Sequence, residues 1–187
     1  MTDEDRLAFR FDCGATWLNL LATSGRHFSA HPVERMATPG RLAEWLDRSE
    51  LAPVRPPGPA DLRQAHALRE TLRPLALAVA EEQPPPAGAV EELTRFLAGA
   101  GDPVRLVVAD RLLREPPATA RAALARIARQ AADHLTGPER RTLAVCPEHD
   151  CRGVFANPNG RRRWCPSPAC ASRGRVRALR ERRRTGE

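Results

Sequence analysis

The sequence predicts a mainly α-helical fold with one small β-hairpin, followed by a small C-terminal cysteine module built of a short hairpin plus a helix. Three observations predict it. Hydrophobic residues make up 42% of the 187-residue chain but aromatics only 4%. The core must therefore be made of Leu, Ala and Val, and a chain rich in Ala, Leu, Arg and Glu favours helix on propensity. Apolar residues recur at 3–4 residue spacing through most of residues 6–137, the period of a helix with one buried face. Finally, four of the five cysteines fall between positions 146 and 170, which marks residues 143–185 as a module apart. The length suits one ordinary domain plus such a module.

Taken in order, Phe9-Arg10-Phe11 alternates and predicts a short strand, and residues 15–23 predict a helix with Trp17, Leu18, Leu20 and Leu21 apolar. Thr38-Pro39 is a helix start: Thr caps free N–H groups and Pro is tolerated in the first turn. The helix it opens buries Leu42, Trp45 and Leu46. A Pro-rich connection at 53–59 leads into a long helix over 60–82, which Pro74 should kink or split. The Pro-rich stretch 83–88 interrupts it, and a shorter helix follows near 90–98. Val104 to Val108 and Arg111 to Arg114 predict the hairpin. Pro116-Pro117 then starts a helix through Ala120, Leu124, Ile127, Ala131 and Leu135, which Gly137-Pro138 ends. The joint to the module is short, so the two units, 6–137 and 143–185, should touch.

Charge is divided as sharply as the cysteines. Residues 1–140 hold 18 Arg against 19 Asp and Glu, a net of −1; residues 141–187 hold 12 Arg against 4, a net of +8. A basic block on a near-neutral body is the footprint of a polyanion binder. The acidic start of the chain lacks an apolar signal region, and no apolar run approaches transmembrane length. The expected setting is the cytoplasm, in association with the nucleoid. Disulfides are not expected there, and clustered cysteines read as metal ligands.

The cysteines form Cys146-x4-Cys151-x13-Cys165-x4-Cys170. Two knuckles of paired thiolates reach the four corners of a tetrahedron, which suits one structural Zn²⁺ and makes the module a small zinc finger. A segment this short cannot fold on an apolar core, so the metal must contribute on the order of 10 kcal/mol. Four thiolates leave the site at −2, a charge that Arg152, Arg162 and Arg163 are positioned in sequence to offset. His149 reads as a solvated knuckle residue and Cys13 as a core thiol. Trp164 and Phe155 read as the finger's own small core in preference to base-stacking platforms.

Ser167-Pro168 starts the last helix and puts Cys170 in its first turn. Ala169, Ser172, Val176 and Leu179 form a stripe expected to pack on the knuckles, and Arg173, Arg177, Arg180 and Arg184 form a neighbouring stripe free for a ligand. Arg175 broadens that surface, and Arg161, Arg162 and Arg163 add a second cluster before Trp164. Arg suits both phosphate forks and guanine edges.

Residues 143–184 resemble the CGNR zinc finger in their two Cys-x4-Cys knuckles, in Phe155 with Asn157 and Asn159, and in Arg162-Arg163-Trp164-Cys165. The Cys-Gly-Asn-Arg that names the family reads Cys170-Ala171-Ser172-Arg173 here. The preceding region resembles the ABATE domain, more loosely, through Gly14, residues 18–23 and residues 38–46. Asn19 and Ala22 stand at the two polar positions of that family's first helical stretch. The resemblance implies a bacterial, stress-linked transcription regulator that binds DNA through its finger. The alternatives are an RNA-binding zinc module, or a ligand-sensing domain whose finger binds nucleic acid without sequence preference. A homodimer and a small-molecule effector of the helical domain are further expectations. No enzyme is expected: there is no phosphate-binding Gly loop and no nucleophile–base spacing, and Pro32, directly after His31, argues against a continuous helix presenting His27 and His31.

Overall fold

A computed structural model describes residues 3–99, 101–103 and 105–185. Helix α1 (Asp3–Leu7) leads into an extended segment and α2 (Thr16–Leu21). A two-residue ladder pairs β1 (Ser24–Gly25) with β2 (Val33–Glu34). Helices α3 (Pro39–Arg48), α4 (Pro59–Ala80) and α5 (Ala87–Ala98) follow. The hairpin of β3 (Leu106–Val108) and β4 (Leu112–Arg114) precedes α6 (Ala120–Thr136). A turn of 3₁₀ helix, Pro138–Thr142, then leads to the antiparallel pair β5 (Leu143–Val145) and β6 (Val154–Ala156), and the chain closes on α7 (Pro168–Thr185).

The long helix α4 is the hub, against which α2, α3, α5 and α6 pack. Trp17, Leu18, Leu20, Leu42, Trp45, Leu46, Leu68, Leu72, Leu124 and Ile127 are fully or almost fully buried there. Each such side chain contributes about 1.5–3 kcal/mol. Trp17 keeps its polar edge satisfied: its indole N–H donates to His134 Nδ1 at 3.1 Å. Arg69 ties β2 to α4, donating to Glu34 at 2.6 Å and to the Thr23 hydroxyl at 2.9 Å.

The caps follow the sequence closely. The Thr38 side chain accepts from Arg41 N, and Pro39 opens α3. Helix α6 starts later than its prolines suggested, at Ala120, where the Thr119 hydroxyl accepts from Ala122 N. Pro117 and Ala118 instead turn their carbonyls to Val54 N and Arg55 N. Two further expectations are corrected. Helix α4 is not split at Pro74: it continues from Pro59 to Ala80, with Leu72, Arg73, Leu75 and Ala76 buried around the proline. Phe9-Arg10-Phe11 forms no strand. Phe9 is buried under Arg41, and Phe11 stacks on Trp45. The Phe11 carbonyl is taken by the Asn19 side chain in place of a partner strand. Helix α5 begins at Ala87, three residues early. The β3–β4 hairpin forms as expected from Leu106 on; Val104 lies outside the described residues.

The 3₁₀ turn occupies the joint expected between 6–137 and 143–185, yet one apolar core runs across it. Leu143, Val154 and Phe155 join the cluster of the helices, and the β5–β6 pair rests on α2 and α4. Gly14 carries this approach. Its φ is +99°, and a Cβ there would lie 2.6 Å from the Cβ of Ala156. Only glycine lets the chain before α2 press against β6, where Ala156 N donates to Cys13 O at 2.8 Å. No helix among the described residues is long and apolar enough to cross a membrane.

Candidate metal centre and basic helix

Each knuckle is shaped by its local backbone. Cys146 continues the β5–β6 ladder, its N–H donating to Gly153 O at 3.0 Å. The chain then doubles back: Cys151 N and Arg152 N both donate to Glu148 O at 2.9 Å, and Arg152 takes a left-handed φ of +43°. On the second knuckle Cys170 N donates to Ser167 O at 3.0 Å, which fixes the first turn of α7. The four Sγ atoms of Cys146, Cys151, Cys165 and Cys170 lie within 4.8 Å of one another. The Cys151–Cys165 separation is 3.7 Å, against about 3.8 Å for the edge of a tetrahedron with Zn–S near 2.3 Å.

Four thiols this close cannot all ionise unaided. Hydrogen bonds from Cys151, Cys165 and Cys170 hold Cys146 far below the ordinary thiol range, and the bond to Cys146 pushes Cys165 far above it. A divalent cation removes the conflict, and four sulfur donors in a half-buried tetrahedral cluster fit one structural zinc. His149 is exposed and takes no part. Cys13 is a core thiol, 3% exposed, and burial pushes its pKa up to about 12.

The balancing charge comes from other arginines than expected. Arg152 pairs with Glu81 at 2.5 Å, Arg162 donates to Asp12 O at 2.9 Å, and Arg163 lies over the Trp164 ring. Arg173 is the one that reaches a ligand sulfur, 3.6 Å from Cys170 Sγ. The buried Arg35 feels the charge of Cys151 and Cys165.

Helix α7 is turned by roughly one residue from the expected orientation. Its inner face is Cys170, Arg173, Gly174 and Arg177. Arg173 forks onto Asp150 with bonds of 2.9 and 3.0 Å. Arg177 donates to Glu148 at 2.5 Å, and Trp164 Nε1 donates to the other oxygen of that carboxylate at 3.3 Å. Gly174 sits against the Trp164 ring, where a Cβ would come within 2.3 Å. Of the stripe expected to pack on the knuckles, only Ala169 is half-buried; Ser172, Val176 and Leu179 are exposed. The cause lies in the first knuckle. Glu148 and Asp150 are 2% and 9% exposed, and such carboxylates need cationic partners. Sequence reasoning passed over both, though they are the only acids between 141 and 180 and both sit inside a knuckle.

The basic residues therefore separate into two sets. Arg173 and Arg177 anchor the helix, and Arg162 and Arg163 hold the approach to the second knuckle. Arg161, Arg175, Arg180 and Arg184 are exposed and have no acidic partner among the described residues. Asp150 also joins the finger to the rest of the chain: it accepts from Arg26 at 3.2 Å, and its carbonyl accepts from Phe28 N at 3.1 Å. Trp164 and Phe155 both pack into the common core. His27 and His31 lie in the loop between β1 and β2.

A search of the curated proteins finds no match to the chain. Two family models do match. Residues 142–183 match the CGNR zinc finger, which agrees with the cysteine cluster just described. Residues 14–138, about two thirds of the chain, match the ABATE model, described as "Putative stress-induced transcription regulator". The chain belongs to the ABATE family and carries a CGNR zinc finger with one structural zinc site at Cys146, Cys151, Cys165 and Cys170.

Proposed function

We propose that this chain is a transcription regulator that binds DNA through the exposed arginines of α7, with residues 143–185 as the binding unit and 6–137 as the regulatory unit. The observation that carries the reading is the division of labour on α7. Its inner face is consumed by a metal ligand, two ion-paired arginines and a glycine on Trp164. Further along the helix Arg180 and Arg184 continue the same stripe beyond the acids of the knuckle, and with Arg175 they are exposed and have no acidic partner among the described residues, beside the exposed Val176 and Leu179. Zinc holds both knuckles and so fixes the helix on its base. At 18 residues the helix is about 27 Å long, and a helix of ordinary diameter enters the major groove of B-DNA. Exposed arginines then reach phosphates and guanine edges, while Val176 and Leu179 are apolar surfaces of the kind that meet thymine methyl groups. Arg161 extends the positive surface toward a flanking phosphate. In this reading Arg162, Arg163, Arg173 and Arg177 lend charge to the same face while their hydrogen bonds serve the finger.

Selection of bound duplexes from a random DNA pool tests the reading. A recurrent motif is the expected outcome. Enrichment of no motif, with equal or tighter binding to RNA in competition, would replace DNA regulation by the RNA-binding reading.

A further inference from the structure

A small cavity lies where the finger meets the helical part of the chain. Its volume is about 70 Å³. One wall is the ladder residues Ser24 and Gly25, and the other is the zinc-facing side of Cys151 and Cys165 with the start of α7. Five arginines line it: Arg10, Arg26, Arg35, Arg73 and Arg173. Three of them are already held by carboxylates. Asp150 takes Arg26 and Arg173, and Glu70 takes Arg73.

Arg10 and Arg35 are different. Among the described residues their side chains donate to backbone carbonyls alone, Arg10 to Asp5 O and Arg35 to Ala22 O, both at 3.0 Å. Arg35 is only 8% exposed. Its guanidinium lies so close to Gly25 that a Cβ there would come within 2.3 Å of it, so the glycine makes room for this side chain. Burial lowers the Arg35 pKa, and the neighbouring Arg10 charge lowers it further. The thiolates of the zinc site offset that charge from a distance but accept no hydrogen bond from either residue. The Nε atoms of Arg10 and Arg35 are buried without a hydrogen-bond partner, whereas Arg173 Nε, which also makes no hydrogen bond, lies 3.7 Å from the Glu148 carboxylate. A buried donor left without an acceptor is costly. Two of them beside one cavity ask for an acceptor with several oxygens.

We propose that this cavity binds a small oxyanion — a carboxylate, phosphate or sulfate group — through Arg10 and Arg35. The volume limits the ligand. A water-sized group needs roughly 10–15 Å³ of such space, so about five non-hydrogen atoms fit and a nucleotide does not. The two arginines come from the segment before α2 and the residue after β2, and the cavity's facing wall comes from the knuckles and the start of α7. An anion here would tie the helical part of the chain to the base of the proposed DNA-binding helix. The site itself does not depend on DNA binding, and its test does not use DNA, so the two readings fail separately.

The test is thermal denaturation of the zinc-loaded full chain in acetate, phosphate or sulfate, with sodium chloride at matched ionic strength as the reference. The expected result is a saturable rise in Tm for at least one oxyanion above the chloride reference, with zinc still at one per chain. Which anion saturates first identifies the source of the oxyanion group. Arg35→Gln should weaken the apparent affinity about tenfold or more, the loss of a charge-assisted hydrogen bond. Arg10→Gln, at a half-buried position, should do the same and serves if Arg35→Gln fails to fold. An equal rise in chloride, no rise in any oxyanion, a rise that tracks loss of zinc, or full anion affinity in Arg10→Gln would each overturn the proposal.

Discussion

Helices α6 and α7 are nearly equal in length and are held in place by opposite means. Of the 17 residues of α6, nine are buried, among them Leu124, Ile127 and Leu135 with six alanines. Small side chains bring its axis close to α4 and α2, and the helix is fixed by exclusion of water. Of the 18 residues of α7, Cys170 is the buried one among those described. It is fixed at its base by a metal ligand, then by Arg173 and Arg177 on two buried carboxylates, then by a glycine against Trp164. An apolar anchor commits a whole helix face to the core. Ligation and charge anchor a helix through a few points near one end and leave the rest of its surface outside. The same element can then be both firmly rooted and available.

Four outcomes would sharpen or break this contrast. The largest effect belongs to the metal. Removing zinc with a chelator should withdraw on the order of 10 kcal/mol from the finger. Amide exchange should rise across 168–185 while the amides of α6 stay protected; equal loss in both helices would mean that the two anchors are not independent. Next comes the apolar anchor. Leu124→Ala should cost about 2–5 kcal/mol of global stability with the zinc content unchanged, as measured by denaturant unfolding and elemental analysis. Third, Glu148→Gln removes the charge that Arg177 and Trp164 share. We expect a loss of about 1–3 kcal/mol confined to α7, seen as faster exchange of its first turns. The smallest effect should be that of salt. The carboxylates of the α7 pairs are buried but their arginines are partly exposed, so screening is incomplete and exchange in α7 should quicken slightly with ionic strength, while exchange in α6 should not.

The contrast also explains what was legible beforehand. The cysteine spacing announced the metal site because zinc tolerates few arrangements of four thiolates. Thr38-Pro39 and Ser167-Pro168 announced helix starts because capping is local chemistry. Gly14 was noticed only as part of a resemblance; its reason, the approach of Ala156, is tertiary. The face of α7 was misread by about one residue because apolar periodicity assumes an apolar anchor. With Glu148 and Asp150 buried opposite, arginines pack inward and Val176 and Leu179 face outward. Pro74 does not split its helix, since burial of the residues around it can outweigh one missing hydrogen bond. The Arg10–Arg35 cavity had no sequence signal at all, as its walls come from segments more than a hundred residues apart.

The central claim is that the exposed Arg175, Arg180 and Arg184 of α7 bind DNA while the ion-paired Arg173 and Arg177 hold the helix. It is tested most directly by the salt dependence of DNA affinity for the wild-type chain and for Arg175→Ala/Arg180→Ala/Arg184→Ala, both zinc-loaded. The slope of log K against log salt should flatten by about 0.9 for each lost phosphate contact, so by about two to three in all, with zinc content and thermal stability unchanged. An unaltered slope and affinity in the triple variant would contradict the claim and leave α7 a structural cap on the finger.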